Sequence, residues 1–75
     1  MKNAPEIEKT LGEAIRAHRL AHGWSQEELS FECGLHRTYI GAVERGEKNL
    51  TVKNLVRIAQ ALNVPTSTLV LSAGL

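Results

Sequence analysis

One stretch near the middle of the chain constrains the fold more than any other. Ser25 and Glu28 have the spacing of a capping box. In this motif the side chain of each residue accepts a hydrogen bond from the backbone N–H of the other at the start of a helix. Trp24 and Leu29 flank this cap at the spacing of a hydrophobic staple. Gly34 follows, and glycine readily adopts the left-handed backbone conformation that ends a helix. The pattern predicts a short helix that begins after Ser25 and ends at Gly34.

A second short helix is predicted after that glycine, because apolar residues continue at helical spacing until Gly46: Leu35, Tyr39, Ile40 and Val43. Two helices joined by a glycine turn over residues 25–46 form a helix-turn-helix. In such a unit the second helix lies in the major groove of DNA, and its N-terminal residues meet the base edges. We predict that residues 36–45 form this recognition helix and that three polar residues contact bases: His36, Arg37 and Thr38. Arg37 is the main candidate, because a guanidinium group can donate two hydrogen bonds to guanine.

Contacts to the DNA backbone are predicted around this helix, from Ser25, Gln26, Tyr39, Arg45, Lys48 and Asn49. The loop after the recognition helix supplies charge through Lys48 and amide donors through Asn49. Gln26 lies at the start of the preceding helix, where its amide and the helix N-terminus can share one phosphate. The alternatives stay open at three positions, since His36 and Arg45 could face solvent and Tyr39 could pack against the protein.

The remaining chain is predicted to be helical, so the fold class is all-α: a compact bundle of about five short helices in one domain, residues 1–75. The first helix is expected to start near Pro5 or Glu6 and to end before Gly23, with residues 1–5 as a mobile tail. Its apolar stripe consists of Ile7, Leu11, Ala14, Ile15 and Leu20.

A fourth helix should be capped by Thr51 and stopped by Asn63 in the left-handed conformation. Its apolar stripe consists of Val52, Leu55, Ile58, Ala59 and Leu62. A fifth helix is expected from Thr66 to about Ser72. Four apolar residues near the C-terminus exceed what one helix face can bury, and residues 66–75 are therefore the predicted homodimer contact, through Leu69, Val70, Leu71 and Leu75. In the alternative, these leucines fold back over the core of a monomer.

Composition excludes several classes of protein. The single cysteine permits no internal disulfide and fits a reducing compartment. No apolar run approaches the roughly 20 residues of a membrane span, and the N-terminus has no apolar signal core. We therefore expect a cytoplasmic protein without membrane contact. The net charge of +1 is weak support for DNA binding, although acids gather on the first helix of the helix-turn-helix and bases in and after the second.

No pattern in the chain indicates catalysis or a cofactor. A Ser-His-Asp set, a carboxylate pair in a plausible pocket and a phosphate-cradling glycine loop are all missing from the sequence. His18 and His22 share a helix face, but no further ligand has suitable spacing, so we expect no metal site. We expect no enzyme activity, no cofactor and no small-molecule ligand.

Three runs of the sequence resemble the Cro and phage-repressor family of helix-turn-helix regulators: LGEAIRAHRLAHGWSQEELS, HRTYIGAVERG and NLTVKNLVRIAQALNVP. Within that family the chain is most similar to the controller proteins of restriction–modification systems. The resemblance implies a lambda-repressor-like DNA-binding domain, in which Tyr39 lies at the DNA backbone. It also implies a partly buried ion pair between Arg19 and Glu44 that joins the first and third helices; otherwise the two would be separate surface charges.

The predicted function is a sequence-specific, homodimeric transcriptional regulator that binds a roughly palindromic operator in double-stranded DNA. Two considerations favour a dimer. One recognition helix reads only a few base pairs, and a small domain gains stability when it buries more surface. The alternative is an antitoxin or other protein-interaction module with the same fold. An antitoxin usually needs an extra segment to bind its toxin, and only the first few residues and the last turn of this chain are available for that. Whether the regulator is a repressor or an activator is left open by the sequence.

Overall fold

Five helices and their short connections make up the computed structural model, which describes residues 3–75. The helices are α1 (Ala4–Ala21), α2 (Gln26–Cys33), α3 (Arg37–Glu44), α4 (Val52–Ala61) and α5 (Thr66–Ser72). No strand occurs within residues 3–75, which confirms the predicted all-α class. None of the helices in this range is long and apolar enough to cross a membrane.

The N-terminus departs from the prediction of a tail over residues 1–5. Residues 1 and 2 lie outside the described part of the chain. Asn3 caps α1, because its side-chain oxygen accepts a hydrogen bond from the backbone N–H of Glu6 at 3.1 Å, and Pro5 occupies the first turn, where proline is well tolerated. Helix α1 therefore begins at Ala4, slightly earlier than the predicted start near Pro5 or Glu6.

Local capping chemistry sets the bounds of the helix-turn-helix. The hydroxyl of Ser25 accepts from the backbone N–H of Glu28 at 3.0 Å, and the Glu28 carboxylate accepts from the N–H of Ser25 at 2.9 Å, so the predicted capping box is present. Gly34 ends α2 with a φ of +72°, a value that favours glycine. Helix α4 begins after the predicted Thr51 cap, and Asn63 follows its end with a φ of +59°.

The core lies among the five helices, where α1 packs against α3 and α5, and α2 packs against α3 and α4. Its fully buried members are large aliphatic side chains, namely Ile15, Leu29, Ile40, Ile58, Leu62 and Leu69. Cys33 is buried among them, and this burial raises the pKa of its thiol. The close approach of α1 to the end of α3 depends on Gly12, because a Cβ there would lie 2.8 Å from the backbone oxygen of Glu44.

Two residues assigned to apolar stripes are exposed instead. Leu20 keeps 52% of its surface, since at about 100° per residue it lies nearly opposite the centre of the α1 stripe, and Arg19 takes the inward position. Val52 keeps 77% of its surface, because it lies about 70° from the centre of the α4 stripe and in the first turn of the helix.

The prediction that Leu69 belongs to a dimer contact is wrong. Helix α5 packs against α1 and α4 with Leu69 inward, so that this side chain is completely buried in the core. Consecutive residues of a helix point about 100° apart, and Val70 is accordingly half-buried while Leu71 is 74% exposed. Leu71 and Leu75 remain on the surface, and they are the apolar residues of this segment that are free to meet another molecule.

Candidate nucleic-acid interface

His36 caps the recognition helix rather than forming part of it. Its Nδ1 atom accepts a hydrogen bond from the backbone N–H of Thr38 at 3.1 Å, and its own backbone is extended. This satisfies one of the amides left without a partner at a helix start. The side chain is exposed, and within residues 3–75 its Nε2 atom has no hydrogen-bond partner. His36 can therefore cap α3 and still offer Nε2 to DNA.

Arg37 and Thr38 follow as the first two residues of α3, and both are exposed. The Arg37 guanidinium lies 3.6 Å from the carboxylate of Glu27 on α2, and the two side chains are 63% and 75% exposed. An ion pair this open to water contributes about 0–1 kcal/mol, so Arg37 can leave it at little cost. The opposite face of α3 is buried, and it holds Ile40 and Val43 in the core.

The loop after α3 brings the predicted backbone contacts to the surface. Arg45 donates from Nε to a carboxylate oxygen of Glu47 at 3.0 Å, and both groups are exposed. Lys48 and Asn49 are exposed as well. Arg45, Lys48 and Asn49 are therefore accessible to a phosphate backbone, although Glu47 adds a negative charge in the same loop.

Arg19 and Glu44 form the ion pair that ties α1 to α3. Arg19 donates from Nε and Nη2 to the two carboxylate oxygens of Glu44, at 2.7 Å and 3.0 Å, and its Nη1 donates to the backbone oxygen of Trp24 at 2.7 Å. The side chains are only 8% and 2% exposed. The hydrogen bond to Glu44 raises the pKa of Arg19 despite its burial, which keeps the guanidinium charged.

Gln26 is part of the same buried network, which no local pattern in the sequence indicates. Its Nε2 atom donates to the Glu44 carboxylate at 3.1 Å. A Cβ at Gly41 would lie 3.2 Å from the Gln26 carbonyl oxygen and 3.1 Å from Nη1 of Arg45. Glycine at position 41 therefore leaves room for the side chains of Gln26 and Arg45, both predicted to contact the DNA backbone, to lie over α3. The amide of Gln26 keeps one N–H that is free to reach a phosphate.

Tyr39 and Ser25 are both engaged within the protein. The Tyr39 ring is half-buried against the core, and its hydroxyl accepts a hydrogen bond from the Asn54 amide of α4 at 3.1 Å. The Ser25 hydroxyl serves the capping box. Packing and DNA contact are compatible for Tyr39, because a phenol that accepts one hydrogen bond still has a proton to donate.

The two histidines of α1 turn to different partners. The Nε2 atom of His18 lies 3.2 Å from the hydroxyl oxygen of Ser72. The Nε2 atom of His22 lies 2.7 Å from the backbone oxygen of Leu62, and its ring stacks on the ring of Trp24. Each ring therefore fastens a different part of the fold. No group of three or more possible metal ligands occurs among the residues that the structure describes.

Comparisons with known proteins identify the family of this chain. The HTH_3 helix-turn-helix family model matches residues 15–69. The control protein C.SmaI of Serratia marcescens is 44% identical over 70 residues, which cover 93% of this chain and 83% of that protein. The control protein C.BamHI of Bacillus amyloliquefaciens is 46% identical over 59 residues, covering 77% and 73%.

The fold is similar to that of a solved controller protein. The crystal structure of the restriction–modification controller C.AhdI from Aeromonas hydrophila superposes with a TM-score of 0.80 and 41% identity, over 81% of this chain and 92% of that one. The family match covers most of the chain and includes both helices of the helix-turn-helix. The chain therefore belongs to the HTH_3 helix-turn-helix family and is a transcriptional regulator of that type, related to restriction–modification controller proteins.

Proposed function

We propose that this regulator binds a specific, roughly palindromic operator as a homodimer, with α3 in the major groove. The observation that carries the proposal is the two-sided character of α3, whose first residues Arg37 and Thr38 are exposed while Ile40 and Val43 are buried. A helix anchored in this way presents a rigid polar end to a groove. His36, Arg37 and Thr38 then contact bases, and Arg37 reads guanine through two hydrogen bonds.

The phosphate contacts in this proposal come from both sides of α3. The exposed loop after the helix contributes Lys48 and Asn49, and Arg45 joins them when it leaves Glu47. Gln26 contributes from the N-terminus of α2, where backbone amides and the helix dipole also favour a phosphate. The hydroxyl oxygen of Ser25 caps α2, so that Ser25 lies at the same N-terminus, close to the proposed phosphate.

The dimer is formed through α5 and the residues after it. Leu71 and Leu75 are exposed and Val70 is half-buried, so that an apolar surface remains at the C-terminal end of the chain. Leu69 is not part of this surface. A twofold dimer uses the same surface on both subunits, which makes the preferred operator an inverted repeat.

The relationship to control proteins supports a narrower role. C.SmaI, C.BamHI and C.AhdI are named as controllers, and the last belongs to a restriction–modification system. We infer that this chain controls restriction–modification genes in the same way. Its operator should then occur upstream of its own gene or of a neighbouring endonuclease gene.

Selection of random duplexes with the purified protein tests the proposal. An inverted repeat should be enriched, with half-sites about one helical turn apart. The selected sequence can be compared with the DNA upstream of the gene. Enrichment of a single half-site, or of no sequence at all, would contradict the proposed dimeric reading.

A further inference from the structure

One side-chain hydrogen bond fastens the recognition helix to α4. The amide of Asn54 donates from Nδ2 to the hydroxyl oxygen of Tyr39 at 3.1 Å, and both residues are half-buried. Within residues 3–75 this is the only side-chain hydrogen bond between α3 and α4. The backbone N–H of Asn54 also donates to the Thr51 hydroxyl at 3.1 Å. Asn54 is thus held by the cap of α4 while it holds Tyr39.

This bond determines what the Tyr39 hydroxyl can offer. A phenol has a single proton to donate and an oxygen that accepts. The Asn54 amide donates to the oxygen, and the hydroxyl donates no hydrogen bond to any of the described residues. The proton is therefore left for a group outside the protein. Phosphate oxygens in DNA are acceptors only, and they suit a hydroxyl that has a donor already placed behind it.

We propose that Asn54 is a positioning residue for DNA binding, which acts by directing the hydroxyl proton of Tyr39 toward a backbone phosphate. The inference rests on the proposed function, because it needs the N-terminal end of α3 to lie at DNA. Tyr39 is the third residue of α3 and follows the base contacts Arg37 and Thr38 directly. Its hydroxyl therefore fixes the register of the same helix end that reads sequence.

Replacement of the amide by an acceptor should reverse the arrangement. In Asn54→Asp the carboxylate accepts the phenol proton, which then points into the protein instead of toward DNA. The fold should tolerate this change, because the third residue of a helix favours an acidic side chain and the backbone bond to Thr51 is retained. Asn54→Ala removes the donor without adding charge.

The first experiment is a double-mutant cycle in the full-length protein on its selected duplex. Tyr39→Phe should lower affinity about tenfold to a hundredfold, as expected for a hydrogen bond to a charged group. Asn54→Ala should lower it about twofold to tenfold. The double variant should bind like Tyr39→Phe alone, since Asn54 has nothing left to position. Asn49→Ala is the control, and its loss should add to that of Tyr39→Phe because the two act independently.

The second experiment identifies the phosphate. Duplexes with one neutral methylphosphonate at a time should reveal a position that weakens the wild-type complex but not the complex of Tyr39→Phe. Asn54→Asp should lose its sensitivity at that same position. Measuring Asn54→Asp in the Tyr39→Phe background isolates the effect of the added charge. Thermal melts of each variant confirm that the fold is kept.

The outcomes separate the two proposals. Additive losses for Asn54→Ala and Tyr39→Phe, or unchanged affinity in either single variant, would overturn the positioning role while leaving DNA binding intact. A wild-type protein that enriches no duplex would instead overturn the proposed function. Coupled losses together with a shared methylphosphonate position support the inference.

Discussion

Arg37 differs from the other basic residues near α3 in its place at the first turn of the helix. Among the described residues its guanidinium is held only by an exposed contact to Glu27, so it is free to donate to guanine. Arg37→Ala should cost about 1–3 kcal/mol on the selected site and relax one base position. Lys48→Ala should instead weaken all duplexes alike and lower the salt slope by about one unit. Titrations on selected and scrambled duplexes check both predictions. If Arg37→Ala lost the same affinity on the two duplexes, Arg37 would not be a base-reading residue.

Arg19 illustrates the opposite situation, a charge whose every contact is internal. Arg19→Met should destabilise the fold by about 3–5 kcal/mol, because it leaves the Glu44 carboxylate buried without its charged partner. That is a large part of the roughly 5–15 kcal/mol that holds a typical domain together. Denaturant unfolding measures the loss. Arg16→Met on the exposed side of the same helix is the control and should change stability little.

At the scale of the element, α3 carries a glycine in its interior that helix propensity alone disfavours. Gly41→Ala should raise helix stability by up to about 1 kcal/mol, since the atoms nearest to the new Cβ belong to the side-chain ends of Gln26 and Arg45, which can move. The same Cβ displaces those side chains, so DNA affinity should fall. Thermal melts and duplex titrations should move in opposite directions. Ala42→Gly is the matched control. It should lower the stability of the same helix without displacing the side chain of Gln26.

The elements themselves were predictable wherever their signals are local. The Ser25–Glu28 capping box and the Gly34 turn lie within a few residues of one another, so they could be read directly from the sequence. The bonds of Gln26 to Glu44 and of Asn54 to Tyr39 join residues 18 and 15 positions apart on different helices. Such contacts depend on how helices dock, which spacing does not encode.

Helix docking also explains the errors in burial. Leu69 belongs to a run of three apolar residues, and only the packing of α5 on α1 and α4 decides which of them turns inward. Leu20 is a different case, because its position nearly opposite the α1 stripe could have been found by counting about 100° per residue. The Arg19–Glu44 pair spans 25 positions and was predicted from family resemblance alone.

At the scale of the whole molecule, the proposed dimer depends on the exposed leucines of the C-terminal end. Leu71→Glu should yield a monomer that retains its helical spectrum, because this side chain is exposed and the core residue Leu69 is untouched. Sedimentation at micromolar concentration measures the change, and operator affinity should fall with it. Phe31→Glu is the control, since Phe31 is equally apolar and exposed but lies on α2. If wild type and Leu71→Glu sediment alike, α5 is not the dimer contact.

The buried network around Glu44 has a consequence for when the protein can read DNA. Helix α3 has eight residues, well below the roughly 12–15 that an isolated helix needs to persist in water. Its end is fixed by Arg19, which belongs to α1, and the same carboxylate orients Gln26 of α2. A chain that lacks α1, as a degraded fragment would, should lose its reading surface although every proposed base contact is still present. We therefore expect DNA binding to require an intact fold, because α1 holds the end of α3 in place although it supplies none of the proposed DNA contacts.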